Sequence, residues 1–230
     1  GIFIFCIITG ILMLMSIVGM VASSSQTTTI DDNSVLVIKL KGEIVDHSVD
    51  DGNPLTTLLG EEVSTQGLDN LVEAIKRAKQ NDEIKGIYIE AGQISADPAT
   101  VTALRDALKD FKTSKKFIVA YADQYSQGSY YISSVADKVW INPQGMLALH
   151  GMGRQSQYMR DFLAKVGIKM QVVKVGQYKS ATETYTEDHM SDANREQVTA
   201  YITGIWNHML KGIAESRKLS VDTLNAYAER

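Results

Sequence analysis

From residue 35 onward, β-rich runs alternate with segments whose apolar residues recur at helical spacing. Val35 to Leu40 predicts a first strand ending near Gly42, and Leu68, Leu71, Val72, Ile75 and Ala78 predict an amphipathic helix of ~12 residues. Lys76, Arg77 and Lys79 fall in its last turns, where positive charge opposes the helix dipole favourably. Ile84 to Ala91 reads as a second strand. Asp97-Pro98 then supplies an N-cap and a first-turn proline for a helix whose buried stripe is Val101, Leu104, Leu108 and Phe111. Phe117 to Ala122 is a third strand, apolar enough to be covered on both faces. The turn from Asp123 to Ser129 leads into a helical run from Tyr130 to Ala136, and Val139 to Pro143 is a strand ended by its proline. Arg154 to Val166 reads as a helix, Lys169 to Val175 as a strand broken by Gly176. Ser191-Asp192 caps a long helix with the stripe Val198, Ile202, Ile205, Trp206, Met209 and Ile213, and Ser220 caps a short one through Tyr227. Such alternation predicts an α/β fold around a mostly parallel sheet.

The N-terminus departs from this pattern. Residues 1–22 carry no charge and only Thr9 and Ser16 as polar side chains, a run long enough as a helix for a hydrocarbon core of ~30 Å. It reads as an uncleaved membrane anchor, being longer than the apolar core of a secretory signal, although Ala22-Ser23-Ser24 offers small residues for cleavage. A polar linker, 23–34, follows, and no lysine or arginine appears after the span until Lys39, which places the following domain, 35–230, outside the cytoplasm. The chain opens on Gly1 without a basic flank, so its start is read as truncated. Residues 46–64 suit a solvated acidic loop and lack the spacing of a calcium loop, so no metal is assigned.

Composition changes this picture little. Hydrophobic residues make up 44% of the 230, ample for a core, and the net charge of −4 gives no electrostatic footprint for nucleic acid. The single cysteine, Cys6, lies in the apolar run and forms no intramolecular disulfide. No cofactor is assigned, because the aromatic and methionine stripe of the long helix reads as core.

The candidate chemistry lies in Val173 to Ala181 (VKVGQYKSA), where Lys179 follows a predicted strand exit. A lysine amine serves as a general base only where desolvation or a neighbouring charge lowers its pKa toward neutrality, and Tyr178 and Ala181 are candidate dry walls. The strand-to-helix turn at Gln127, Gly128 and Ser129 is a candidate oxyanion or substrate-binding region, since a first helical turn leaves N–H donors unpaired.

Three segments, GQYKSATETYTEDHMS (176–191), YSQGSYYISSVADKVWINPQG (125–145) and LALHGMG (147–153), resemble the signal peptide peptidase A, or protease IV, family of membrane-anchored serine proteases. The resemblance implies a superhelical ββα core of the ClpP/crotonase type, and Lys179 as general base of a Ser/Lys dyad. It also implies that single-length relatives carry their nucleophilic serine where this chain has Gln127. Double-length relatives take the lysine from a first copy of the fold and the serine from a second. On that pattern the chain is the anchor and N-terminal half, the serine lying beyond residue 230. This half is then inactive alone, acting in an oligomer at the inner membrane, periplasmic side, on cleaved signal peptides. Ser126 and Ser129 are expected to cap the helix start, Ser180 to donate hydrogen bonds, and His150 to be loop structure. A catalytically inactive membrane-anchored scaffold is the alternative reading, and a crotonase-type acyl-CoA enzyme stands third.

Overall fold

The computed structural model describes residues 30–47 and 65–229. The predicted anchor, most of the linker and most of the acidic loop lie outside them. Among the described residues, no helix is long and apolar enough to cross a membrane. Strands β1 (Ser34–Val45), β2 (Thr65–Gly67), β3 (Ile84–Ser95), β4 (Phe117–Tyr125) and β5 (Lys138–Leu147) form one sheet. Its order is β2-β1-β3-β4-β5 and every pairing is parallel, as the strand–helix alternation predicts. Helices α1 (Leu68–Gln80), α2 (Pro98–Lys112) and α3 (Gln127–Ser133) connect successive strands, as parallel pairing requires. After β5 come α4 (Arg160–Lys165), α5 (Glu183–Thr186), α6 (Asp192–Arg217) and α7 (Val221–Ala228).

The core forms where one face of the sheet meets the helices. Ile38, Leu40, Ile87, Ile89, Ile118 and Ala120 of the strands cluster with Ile75 of α1, Leu104, Leu108 and Phe111 of α2, and Ile132 of α3. Fully burying an aliphatic or aromatic side chain of this size stabilises the fold by about 1.5–3 kcal/mol. The opposite face is open. Val37, Phe117 and Trp140 are 50%, 43% and 58% exposed, so β4 is covered on one face and not on both. Its apolar run reflects aromatic and β-branched residues on an uncovered face as well as core residues.

Several boundaries differ from the sequence pattern. Strand β5 continues through Pro143 to Leu147, because it is the last strand in the order and its pairing with β4 shifts register between Ala122 and Gln124. A proline without an N–H is tolerated at such an edge. Asp97 holds the N-cap position of α2, yet its side chain makes no capping bond; only its carbonyl accepts, from Val101 N. Helix α3 starts at Gln127, three residues ahead of the apolar run, because Ser126 caps it.

Arg105 lies on the buried stripe of α2 at 2% exposure. Its guanidinium donates to Tyr131 O and Ser134 Oγ of the α3 region and to Gly212 O and Ser216 Oγ of α6, and it stacks 4.6 Å from the Tyr131 ring centre. Burial lowers its pKa from an ordinary value high enough that it stays charged. Gly212 permits this junction, since a Cβ there would lie 2.8 Å from Tyr131 Cε2. Arg105 thus ties α2, α3 and the C-terminal half of α6 into one body.

Residues 148–208 behave differently. Glu183 is their only buried residue. The predicted helix 154–166 contracts to α4, and the predicted strand 169–175 does not form, with Val173 99% and Val175 85% exposed. A strand needs a neighbour for its N–H and C=O groups, and an amphipathic helix needs a surface for its stripe. The described chain supplies neither here. The stripe of α6 divides in the same way: Met209, Leu210 and Ile213 are buried, whereas Val198, Ile202, Ile205 and Trp206 are only partly covered.

Candidate functional site

Lys179 sits on this thin arm. Gly176, at φ +105°, opens the turn that follows residues 169–175, and Lys179 N donates to Gly176 O at 3.4 Å. Positive φ of this size suits glycine and strains any other residue. The Tyr178 hydroxyl donates to Glu196 Oε2 of α6 at 3.2 Å, which fastens the turn to the long helix. The Lys179 side chain is exposed, as are Ala181 and, at 48%, Tyr178, so the expected dry walls stand open in this chain. A cavity of about 460 Å³ beside it is lined by Val173, Val175, Tyr178, Ser180 and Gln197.

Glu183, four residues on, secures the turn from the other side. It is 3% exposed, and its carboxylate accepts from Ser191 Oγ at 2.6 Å, Ser191 N at 3.3 Å and Asn194 Nδ2 at 2.8 Å. Ser191 in turn caps α6 by accepting from Asn194 N. Burial alone pushes the Glu183 carboxyl up, but the donors on Ser191 and Asn194, with Lys174 nearby, hold it below its ordinary value. The carboxylate is shielded by its immediate neighbours in a thin arm and not by a deep core. Sequence reasoning passed over Glu183; the available signal was an acid eight residues before an N-cap serine.

The turn at 126–129 is built for structure. Ser126 Oγ accepts from Ser129 N at 3.2 Å, the capping role expected of it. Ser129 is fully buried, and its hydroxyl donates to Ser126 O at 3.1 Å. Gln127 bridges to the loop after β5: Oε1 accepts from His150 N at 3.3 Å and Nε2 donates to Gly151 O at 3.4 Å. His150 contributes its backbone to this bridge and exposes its side chain, in keeping with loop structure. A Cβ on Gly128 would meet only ordinary contacts, 3.6 Å from Ile94 Cδ1, so space does not demand glycine there. No residue of this turn lines the Lys179 cavity. Ser180 lines it, and its carbonyl accepts from Glu183 N at 3.0 Å.

The family model for peptidase family S49 matches residues 110–230, just over half of the chain and the part that holds both the turn and the lysine. The chain belongs to peptidase family S49. It is 32% identical to "Protease 4" of Salmonella typhi over 96% of its own length and 36% of that protein's. It is 27% identical to "Protease 4" of Haemophilus influenzae, over 93% of the chain and 36% of the relative. Against "Serine protease SPPA, chloroplastic" of Arabidopsis thaliana it is again 27% identical, over 80% of the chain and 26% of the relative. The chain therefore spans about a third of the length of the curated relatives it matches. The sheet described above is consistent with the ClpP-like fold expected of this family.

Proposed function

We propose that this chain is the lysine-bearing part of a membrane-anchored serine endopeptidase with a Ser/Lys dyad. One observation carries the reading: Lys179 is held in a defined turn, between the Gly176 bend and the Glu183 staple, on an arm that buries nothing else. A base so placed needs two things the described chain does not give it, shelter from water and a serine hydroxyl. A second copy of the fold laid over residues 169–181 supplies both. That copy would also pair the segment 169–175 and cover Val173 and Val175.

The chemistry is acyl transfer. Neutral Lys179 takes the proton of the incoming serine hydroxyl as the oxygen attacks the peptide carbonyl carbon. The resulting ammonium returns that proton to the leaving amine as the C–N bond breaks, which leaves an acyl-enzyme and the neutral lysine again. Water, deprotonated by the same amine, then attacks the acyl carbon, and the ammonium returns that proton to the serine oxygen as the C–O bond breaks and the acid leaves. The substrates are short apolar peptides, remnants of cleaved signal sequences that partition into the bilayer. Turnover of a fluorogenic apolar peptide by the full-length enzyme tests the assignment: Lys179→Ala should abolish it, and near-wild-type turnover would refute it.

A second reading, a catalytically inactive scaffold, is favoured by Gln127, whose amide at the nucleophile position is spent on the 150–151 loop. It requires that the full-length protein fail to cleave peptides while still assembling.

A further inference from the structure

The groove that begins at Lys179 continues across the N-terminal half of α6. The 460 Å³ cavity beside the lysine shares Ser180, Ala181 and Gln197 with a second of about 410 Å³. The second shares Arg154, Ser156, Tyr158 and Val198 with a third of about 570 Å³, which also reaches Arg195. Its lining sets the apolar Met152, Met190, Val198 and Ile202 among polar side chains.

Two guanidiniums therefore line the far end of this groove. Among the described residues, neither Arg154 nor Arg195 makes a side-chain hydrogen bond or an ion pair. The two acids that line these cavities are already engaged. Asp188, in the same cavity, is held by Arg160 Nη2 at 2.8 Å and by His189, and Glu183, in the adjoining one, is turned to Ser191 and Asn194. What remains is two unpaired guanidiniums beside Met152, Met190, Val198 and Ile202.

Resting on the proposed peptidase function for the identity of the ligand, we propose that this groove seats short apolar peptides by their free C-terminal carboxylate, held by Arg154 and Arg195. Guanidinium matches carboxylate geometry in two-point contacts that an ammonium cannot reproduce. The apolar lining residues take the side chains that precede the carboxylate. A peptide released by an earlier cleavage ends in such a carboxylate, and an uncut chain threaded through the same groove does not. The groove thus selects fragments over intact proteins.

The test is fluorescence anisotropy on the full-length protein, with one apolar peptide labelled at its N-terminus and prepared as the free acid and as the C-terminal amide. The acid should bind wild type about tenfold more tightly than the amide, the usual scale for one charge-assisted contact. Arg154→Gln and Arg195→Gln should each weaken the acid several-fold and leave the amide unchanged, and Arg154→Lys should restore only part of the loss. The amide reports whether each variant is folded. Equal binding of acid and amide to wild type, or a parallel loss of both in the variants, overturns the proposal. Binding is read without chemistry. A preference for the acid with no cleavage would therefore refute the peptidase reading alone, and cleavage without that preference would refute the carboxylate site alone.

Discussion

Replacing Glu183 by alanine removes the one buried side chain of residues 148–208 and leaves three donors, Ser191 N, Ser191 Oγ and Asn194 Nδ2, without their acceptor. A hydrogen bond to a charged group contributes about 1.5–3 kcal/mol when buried. The arm is thin enough for water to reach Ser191 and Asn194 once the side chain is gone, so the three losses do not add. A net cost of about 3 kcal/mol is expected, which is about a hundredfold in the equilibrium for local opening. The effect should stay local, since residues 148–208 reach the core only through the partly buried Leu149 and Trp206. Hydrogen exchange read by mass spectrometry on the full-length protein measures it directly. Amides from Glu183 to Val198 should lose about two orders of magnitude of protection, while those of β3 and β4 keep theirs. Unchanged protection at 183–198 would show that the carboxylate does not staple the lysine turn to α6. A uniform loss that included the sheet would show that the arm and core are one cooperative unit.

Arg105→Met should lower the stability of the core by about 3–5 kcal/mol, measured by urea denaturation, because Tyr131 O, Gly212 O and two hydroxyls lose a shared donor. Arg105→Lys should recover little of it, since one ammonium cannot reach both α3 and α6; full recovery would mean that charge alone matters there. Acid should destabilise the protein for a reason with a definite sign. At Asp137 burial pushes the carboxyl up, but Lys112 and the Ile118 N–H outweigh it, and Glu183 is likewise held below its ordinary value. Their contributions are therefore present above the ordinary carboxylate range and lost as pH falls below about 4 through the folded values. Urea midpoints measured from pH 7 to pH 3 should drop at the acid end, less steeply in Asp137→Asn, and a flat profile would contradict this. Gly176→Ala forces a non-glycine residue to φ +105°, at a cost of about 1–3 kcal/mol in the turn that carries Lys179. Peptidase turnover of the full-length enzyme should fall while the urea midpoint of the core holds, and a loss of both would place the turn within the core.

The parallel sheet and its connecting helices were legible in the sequence because local pattern and tertiary packing agree there. Ile87, Leu104 and Phe111 recur at the spacing their elements require, and they are buried. Ser126, Ser191 and Ser220 could be read as caps because capping is a local bond, and each accepts from the N–H three residues on. Pro143 misled because its effect depends on where β5 lies in the sheet order, which no local window contains. The 169–175 segment misled differently: its apolar residues are there, but its pairing partner is absent from the described residues. Arg105 and Glu183 escaped notice because a charged residue on an apolar stripe, or in a polar loop, looks solvated until its partners on distant elements are known. The site was legible in part. Lys179 was singled out by its motif, while its exposure and the clamp made by Gln127 emerge only from the geometry.

Under the proposed function, Lys179 activates a serine that lies outside these 230 residues. Labelling the full-length protein with a fluorophosphonate, followed by mapping of the modified peptide, tests it most directly, because the probe reacts with an activated serine. The account expects a single labelled serine outside residues 1–230, with labelling lost in Lys179→Ala. Label on Ser126, Ser129 or Ser180, or label that persists without the lysine, would contradict it.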